Sequence, residues 1–237
     1  MKEEFSRTAM LIGEAGLEKL NKSKVIVFGT GGVGSYAVEA LARCGLERLD
    51  VVDADVVSVT NINRQLIALH STVGRKKVEV VKERIADISP DTLTDAYDIF
   101  YDCETKDKID LSIYDYIVDA IDSMNSKILL IKEAKRLNVP IISALSAGNK
   151  MDVTKFQIAD IFDTSVCPIA KILRKRLREE KVDKLKVVYS TEPPILADSS
   201  FVADDGKKTV GSISFVPSAV GLMLASEVIC DLTDFRR

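Results

Sequence analysis

A glycine-rich loop that directly follows a short apolar run constrains the fold of this chain more than any other feature. Residues 24–29 are continuously apolar after the first, which is typical of a parallel strand buried on both faces. The run ends in Gly29-Thr-Gly-Gly-Val-Gly34, and helical spacing of apolar residues follows as far as Cys44. Residues 48–53 predict the next strand, so the segment forms a βαβ unit, the repeating element of an open parallel sheet.

The alternation of strands and helices continues along the chain. Further strands and helices are predicted at residues 73–88, 115–120, 124–137 and 139–144. The helix at 124–137 is expected to turn four basic side chains toward solvent, namely Lys127, Lys132, Lys135 and Arg136.

The pattern changes after about residue 148. An alternating run at residues 156–161 predicts an antiparallel strand. The remaining predicted elements are a helix at 165–181, a strand at 185–190, a loop at 192–206, a short strand at 212–216 and a helix opened by Pro217. We therefore predict an α/β, Rossmann-like fold, with a mostly parallel twisted sheet, helices on both faces and an antiparallel C-terminal extension.

Composition excludes several classes of protein. The 33 basic and 36 acidic residues give a net charge of −3, which argues against a generally basic nucleic-acid binder. The four cysteines form no CxxC pair, so we expect neither a disulfide framework nor a zinc site, and a cytoplasmic location. The apolar stretch 215–230 contains Pro217 and Glu227 and is short for a span, so no membrane span is expected.

The glycine loop has the spacing of a nucleotide-binding turn. Gly29 allows the tight turn, Gly31 lets a phosphate approach the backbone, and Gly34 permits close helix packing, while the helix N-terminus attracts anions. Asp53 follows the second strand, where a carboxylate can accept ribose hydroxyls. These features predict an adenine nucleotide, and an NAD-dependent oxidoreductase would share them.

A polar cluster after Asp53 favours triphosphate chemistry over a dinucleotide. Asn61 and Arg64 can bind phosphate oxygens, and Lys77 can act as a point charge at the start of a helix. Asp119 and Asp122 follow a strand expected beside the first one, where a carboxylate could hold Mg²⁺ on a triphosphate.

Four motifs resemble the ThiF/MoeB/HesA and ubiquitin-activating superfamily. They are Gly29-x-Gly-Gly-x-Gly34, Asp53-x-Asp-x-Val-x-x-Thr-Asn-x-x-Arg-Gln65, Val73-Gly-x-x-Lys77 and Val118-Asp-Ala-x-Asp122. The resemblance implies a single ThiF-type adenylation domain over 1–237, with a nucleotide-binding half at 1–148 and a substrate- or tRNA-binding elaboration at 149–237. It also implies ATP and Mg²⁺ as cofactors, used to convert a carboxylate into an acyl-adenylate.

The resemblance assigns roles by position. The implied catalytic residues are Asn61, Arg64, Lys77 and Asp122, together with Arg7 from the partner protomer of a homodimer. Asp122 would bind the Mg²⁺ that accompanies ATP. The implied cofactor-binding set is Gly29, Gly31, Gly32, Gly34, Asp53, Asp55, Thr60, Asn61, Arg64, Gln65, Lys77, Asp122 and Ser123.

The second half of the chain is most similar to the TcdA (CsdL/YgdL) branch, the tRNA threonylcarbamoyladenosine dehydratases. The segments that carry this likeness are Ser143-Ala-Leu-Ser-Ala-Gly-Asn-Lys150, Asp160-Ile-Phe-Asp-Thr-Ser-Val-Cys-Pro168, Val188-Tyr-Ser-Thr-Glu-Pro-Pro194 and Gly211-Ser-Ile-Ser-Phe-Val-Pro217. This branch activates the carboxylate of threonylcarbamoyladenosine in tRNA, which then cyclises with loss of water. An adenylating activator of a ubiquitin-like or sulfur-carrier protein is the alternative, and the need for a sulfur-transfer protein partner stays open.

A local basic segment offers a tRNA contact despite the acidic total. Eight basic and three acidic residues fall between Lys171 and Lys186, which gives this segment a charge of +5. Contacts to phosphates from such a segment should be sensitive to salt. The expected tRNA-binding residues are Lys171, Arg174, Lys175, Arg176 and Arg178, and the neighbouring Cys167 is expected to be a buried residue rather than a nucleophile.

Overall fold

A seven-stranded sheet forms the centre of the computed structural model, which describes residues 3–195 and 210–235. Its strands are β1 Lys24–Phe28, β2 Arg48–Val52, β3 Ala96–Tyr97, β4 Tyr116–Asp119, β5 Ile141–Ala144, β6 Phe156–Asp160 and β7 Lys186–Ser190. The order across the sheet is β3-β2-β1-β4-β5-β7-β6. Every neighbouring pair is parallel except β6 and β7, which confirms the mostly parallel sheet and its antiparallel C-terminal extension.

Helices cover both faces of this sheet, as predicted. They are α1 Ser6–Leu20, α2 Gly34–Ala42, α3 Lys77–Ile88, α4 Met124–Leu137, α5 Pro168–Glu179 and α6 Phe215–Thr233. Side chains of α1, α2, α3 and α6 share one buried cluster with the sheet, whereas α4 and α5 belong to a second cluster. The β1–α2–β2 unit leaves the glycine loop at the carboxyl edge of the central strand.

Helix α6 is long and apolar enough to pass a length-and-composition test for a membrane span. Its residues Val216, Val220 and Leu224 are buried in the same cluster as α2. A Cβ added at Gly221 would lie 2.3 Å from the backbone oxygen of Val33, so the two helices are in close contact there. This packing agrees with the predicted buried helix.

Three details of the sequence prediction are wrong. Residues 212–216 form no strand, because α6 already begins at Phe215 and Pro217 is its third residue. Helix α3 begins at Lys77 rather than at residue 73, because residues 71–75 form turns and a bend, and Lys76 is held extended by an antiparallel bridge with Val56. Lys127 is buried instead of facing solvent. Residues 196–206 of the predicted loop lie outside the described residues.

Candidate nucleotide-binding site

The carboxyl ends of β1, β2 and β4 meet at one edge of the sheet, where a cleft of about 660 Å³ opens. The structure brings most of the predicted cofactor-binding residues together in its lining: Gly29, Gly31, Gly32, Asp53, Asp55, Asn61, Arg64, Gln65, Lys77 and Asp122. Four other predicted residues do not line this cleft: Arg7, Gly34, Thr60 and Ser123.

The glycine loop is folded so tightly that two of its positions exclude a side chain. Gly29 has a φ of 85°, and a Cβ there would lie 2.7 Å from the backbone oxygen of Ala120. At Gly34 an added Cβ would lie only 1.7 Å from the backbone oxygen of Gly29. Gly34 therefore packs α2 under the loop, while Gly31 and Gly32 present backbone to the cleft, as an anion-binding turn requires.

Asp53 holds the loop in place from the end of β2. One carboxylate oxygen accepts hydrogen bonds from the backbone amide and the hydroxyl of Thr30, at 2.7 and 2.9 Å, and the other accepts from the amide of Asp55 at 2.9 Å. Thr30 is fully buried and was missed by the sequence analysis, although a hydroxyl residue beside the first loop glycine is a visible signal. A carboxylate has further lone pairs, so Asp53 can still accept a ribose hydroxyl.

Cationic and amide groups line the same cleft. The Arg64 guanidinium donates to the backbone oxygen of Thr60 and to the side-chain oxygen of Asn63, each at 3.0 Å, which fixes its direction. The buried Lys77 lies 2.6 Å from the exposed carboxylate of Asp55. The side-chain oxygen of Asn61 accepts from the Ser58 amide at 3.1 Å, which leaves the amide NH₂ as its donor to a ligand.

Gln65 carries a buried polar atom without a partner. Its side-chain oxygen has no hydrogen bond within the described part of the chain, although the residue is buried and lines the cleft. Buried polar atoms are almost always paired, so this carbonyl oxygen, which can only accept a hydrogen bond, is an exception within the site. The loop backbone and the two cations make the cleft a good fit for a nucleoside triphosphate.

Of the two carboxylates expected near β4, only Asp122 is accessible. Asp119 is fully buried, and its carboxylate receives a hydrogen bond of 2.7 Å from the buried Lys127, which also donates to the backbone oxygen of Ala144. In residues 3–195 and 210–235 no group of three His, Cys, Asp or Glu residues could hold a metal ion. Mg²⁺ usually binds one or two carboxylates plus substrate phosphates, and Asp122 is an exposed carboxylate in this cleft that could take part in such a site.

Helix α5 begins at the cleft, where Ile169 contributes to the lining. The side chains of Lys171, Lys175, Arg176 and Arg178 are exposed. Arg174 differs, because it is half-buried and donates to the backbone oxygen of Thr164 at 2.8 Å. Its geometry fits an anchor for the preceding loop, so substitution there would disturb the fold. Cys167, directly before the helix, is buried as expected.

Comparison with known proteins identifies the family. The ThiF family model matches residues 5–236. The chain belongs to the ThiF family. A Bacillus subtilis (strain 168) relative named tRNA threonylcarbamoyladenosine dehydratase is 44% identical, over 98% of this chain and 95% of its own length. The crystal structure of Escherichia coli tRNA N6-threonylcarbamoyladenosine dehydratase, TcdA, with AMP is 32% identical, with a TM-score of 0.89 over 98% of this chain and 94% of that one.

The TcdA structure with ATP matches this ThiF-family chain with a TM-score of 0.87, 32% identity and the same coverage of both chains. These findings confirm the superfamily and the branch that the motifs indicated. The cleft itself lies at the carboxyl edge of the parallel sheet, where ligands of such folds bind.

Proposed function

We propose that this chain is an ATP-dependent tRNA threonylcarbamoyladenosine dehydratase. It activates the carboxylate of threonylcarbamoyladenosine in tRNA and lets the side chain cyclise with loss of water. The observation that carries the proposal is the likeness to the Bacillus subtilis dehydratase, which extends over nearly the full length of both chains. The cleft supplies what activation by ATP requires, namely a phosphate-binding loop with cations facing it.

In this proposal each side chain in the cleft has its own role in binding or activating ATP. Asp53 binds the ribose of ATP, while Arg64 and Lys77 offset the charge that develops on the triphosphate and Asn61 donates to its oxygens. Asp122 would hold Mg²⁺ together with the phosphates, and the metal supplies Lewis-acid polarisation of those oxygens. Two residues outside the lining act indirectly: Thr60 positions Arg64 through its backbone oxygen, and Ser123 caps α4.

A homodimer completes the proposed active form. Arg7, Met10 and Leu11 have the i, i+3, i+4 spacing of one helix face, and all three are exposed on α1. The relative exposure of Met10 is 81% and that of Leu11 is 79%, which supports an apolar contact with a second copy that would bring Arg7 to the partner's cleft. The sulfur-transfer protein is an optional further partner, and the cytoplasm is the proposed location.

The acceptor that stimulates ATP–pyrophosphate exchange tests this function against its alternative. We expect tRNA bearing threonylcarbamoyladenosine to stimulate exchange, because only its carboxylate fits the proposed reaction. The control acceptor is a ubiquitin-like or sulfur-carrier protein ending in Gly-Gly. Exchange driven by that protein, with none driven by the tRNA, would favour the protein activator instead.

A further inference from the structure

A second large recess lies at the sheet edge opposite the nucleotide cleft. It has a volume of about 1010 Å³ and opens at the amino ends of β4, β5 and β7. The loop that follows α5 forms one wall, and the C-terminal half of α4 forms another. None of the residues that line this recess also lines the nucleotide cleft, so within the described residues the two are separate sites.

The recess is rich in basic side chains. Six basic residues line it against four acidic ones: Lys132, Lys135, Arg136, Lys181, Lys184 and Lys186 against Asp160, Glu180, Asp183 and Asp231. Three of the acids are already engaged. Glu180 pairs with Lys132 at 2.7 Å, Asp231 pairs with Lys186 at 2.6 Å, and both oxygens of Asp160 accept backbone amides.

Three lysines therefore share the recess with two carboxylates that pair with no cation in the described residues, those of Asp183 and Asp160. Lys135, Lys181 and Lys184 form no ion pair with any residue in 3–195 or 210–235. Lys135 is half-buried, and its pKa is lowered by this burial and by the charge of Lys184, against the opposing effects of Asp183 and Asp160. Like charges held together in a partly buried recess favour an anion between them.

Helix α5 connects this recess to the nucleotide cleft. Its first turn lines the cleft through Ile169, and the chain that leaves its last turn lines the recess from Glu180 onward. Twelve helical residues span about 18 Å. Lys171, Lys175 and Arg178 have the i, i+4, i+7 spacing of one helix face, so a row of exposed cations runs from one site to the other.

We propose that this recess binds the phosphate backbone of the tRNA stem next to the modified adenosine. The inference rests on the proposed function, and its support is charge complementarity together with continuity along α5. With the target nucleoside in the nucleotide cleft, the RNA backbone follows the cationic face of α5 and reaches Lys135, Lys181 and Lys184. Phosphate contacts of this kind position the RNA and carry no sequence information.

The test compares tRNA binding by matched charge-reversal variants. Lys181→Glu/Lys184→Glu changes two exposed side chains of the recess. The control Lys22→Glu/Lys82→Glu makes the same charge change at two exposed lysines elsewhere, one in the turn after α1 and one on α3. We expect the recess variant to bind tRNA about tenfold more weakly and to lower the salt slope of binding by about two, because two phosphate contacts are lost. Lys135→Gln should give a smaller loss in the same direction.

ATP binding and the circular dichroism spectrum of the recess variant should match wild type, since neither residue touches the nucleotide cleft. Binding of tRNA within twofold of wild type, or an equal loss in the control variant, would overturn the proposal. So would a recess variant that loses affinity for polyglutamate while it keeps affinity for tRNA, because the partner would then be an acidic protein. If the wild-type protein does not modify tRNA, the proposed function is wrong. If the wild-type protein is active and the recess variant binds tRNA as well as wild type, only the proposed tRNA contact at the recess is wrong.

Discussion

Replacement of Arg64 by alanine is expected to lower turnover with tRNA and ATP by about 100- to 1,000-fold while the fold stays intact. Its guanidinium is fixed in direction by Thr60 and Asn63 and faces the nucleotide cleft, so no rearrangement is needed when charge develops on the triphosphate. The measurement is single-turnover formation of the cyclised nucleoside, with a thermal melt to show that folding is unchanged.

Two further variants serve as controls for the Arg64→Ala result. Arg64→Lys keeps the charge but loses the planar fork, so its rate should lie between those of wild type and Arg64→Ala. Arg43→Ala removes an exposed arginine that pairs with Glu39 away from the cleft, and its turnover should match wild type. Normal turnover by Arg64→Ala would remove Arg64 from the mechanism.

Replacement of Lys127 by methionine is expected to destabilise the protein by about 3–5 kcal/mol. The change leaves the carboxylate of Asp119 fully buried without its counter-ion, 2.7 Å from where the lysine Nζ lay. Because one kcal/mol shifts Tm by about 2–4 °C in a chain of this size, the melting temperature should fall by roughly 10 °C. Thermal denaturation followed by circular dichroism measures the shift.

A double variant tests whether the unpaired charge of Asp119 causes the instability of Lys127→Met. Asp119→Asn/Lys127→Met removes both charges and should recover most of the lost stability, since a buried pair contributes little beyond the cost of breaking it. Lys132→Met on the same helix removes only an exposed ion pair with Glu180 and should change the stability by less than about 1 kcal/mol. If Lys127→Met melts like wild type, the buried pair does not stabilise the end of β4.

The central strands could be predicted because strands buried on both faces are continuous apolar runs, as β1 and β4 show. The two-residue strand β3 is too short to produce a pattern. The short strand expected at residues 212–216 does not form; Ser212 lines the cleft, and its backbone oxygen accepts from the side chain of Asn63. Such long-range contacts leave no local periodicity.

Ten residues of the cleft lining were predicted from motif spacing, whereas Lys127, which also lines the cleft, and the supporting Thr30 were not. Thr30 and Lys127 act through contacts with Asp53 and Asp119, which only the folded sheet edge brings together. A charged residue inside an apolar run, as at Asp119, signals that a buried partner exists without saying which. Arg174 matched the basic helix pattern, but its contact with Thr164 depends on the loop before α5.

The nucleoside mass of threonylcarbamoyladenosine tRNA after incubation with the purified protein tests the central claim most directly. The account predicts that the modified nucleoside becomes lighter by one water only when ATP and Mg²⁺ are present. An unchanged nucleoside mass in the presence of ATP, or the same loss of water without ATP, would contradict it.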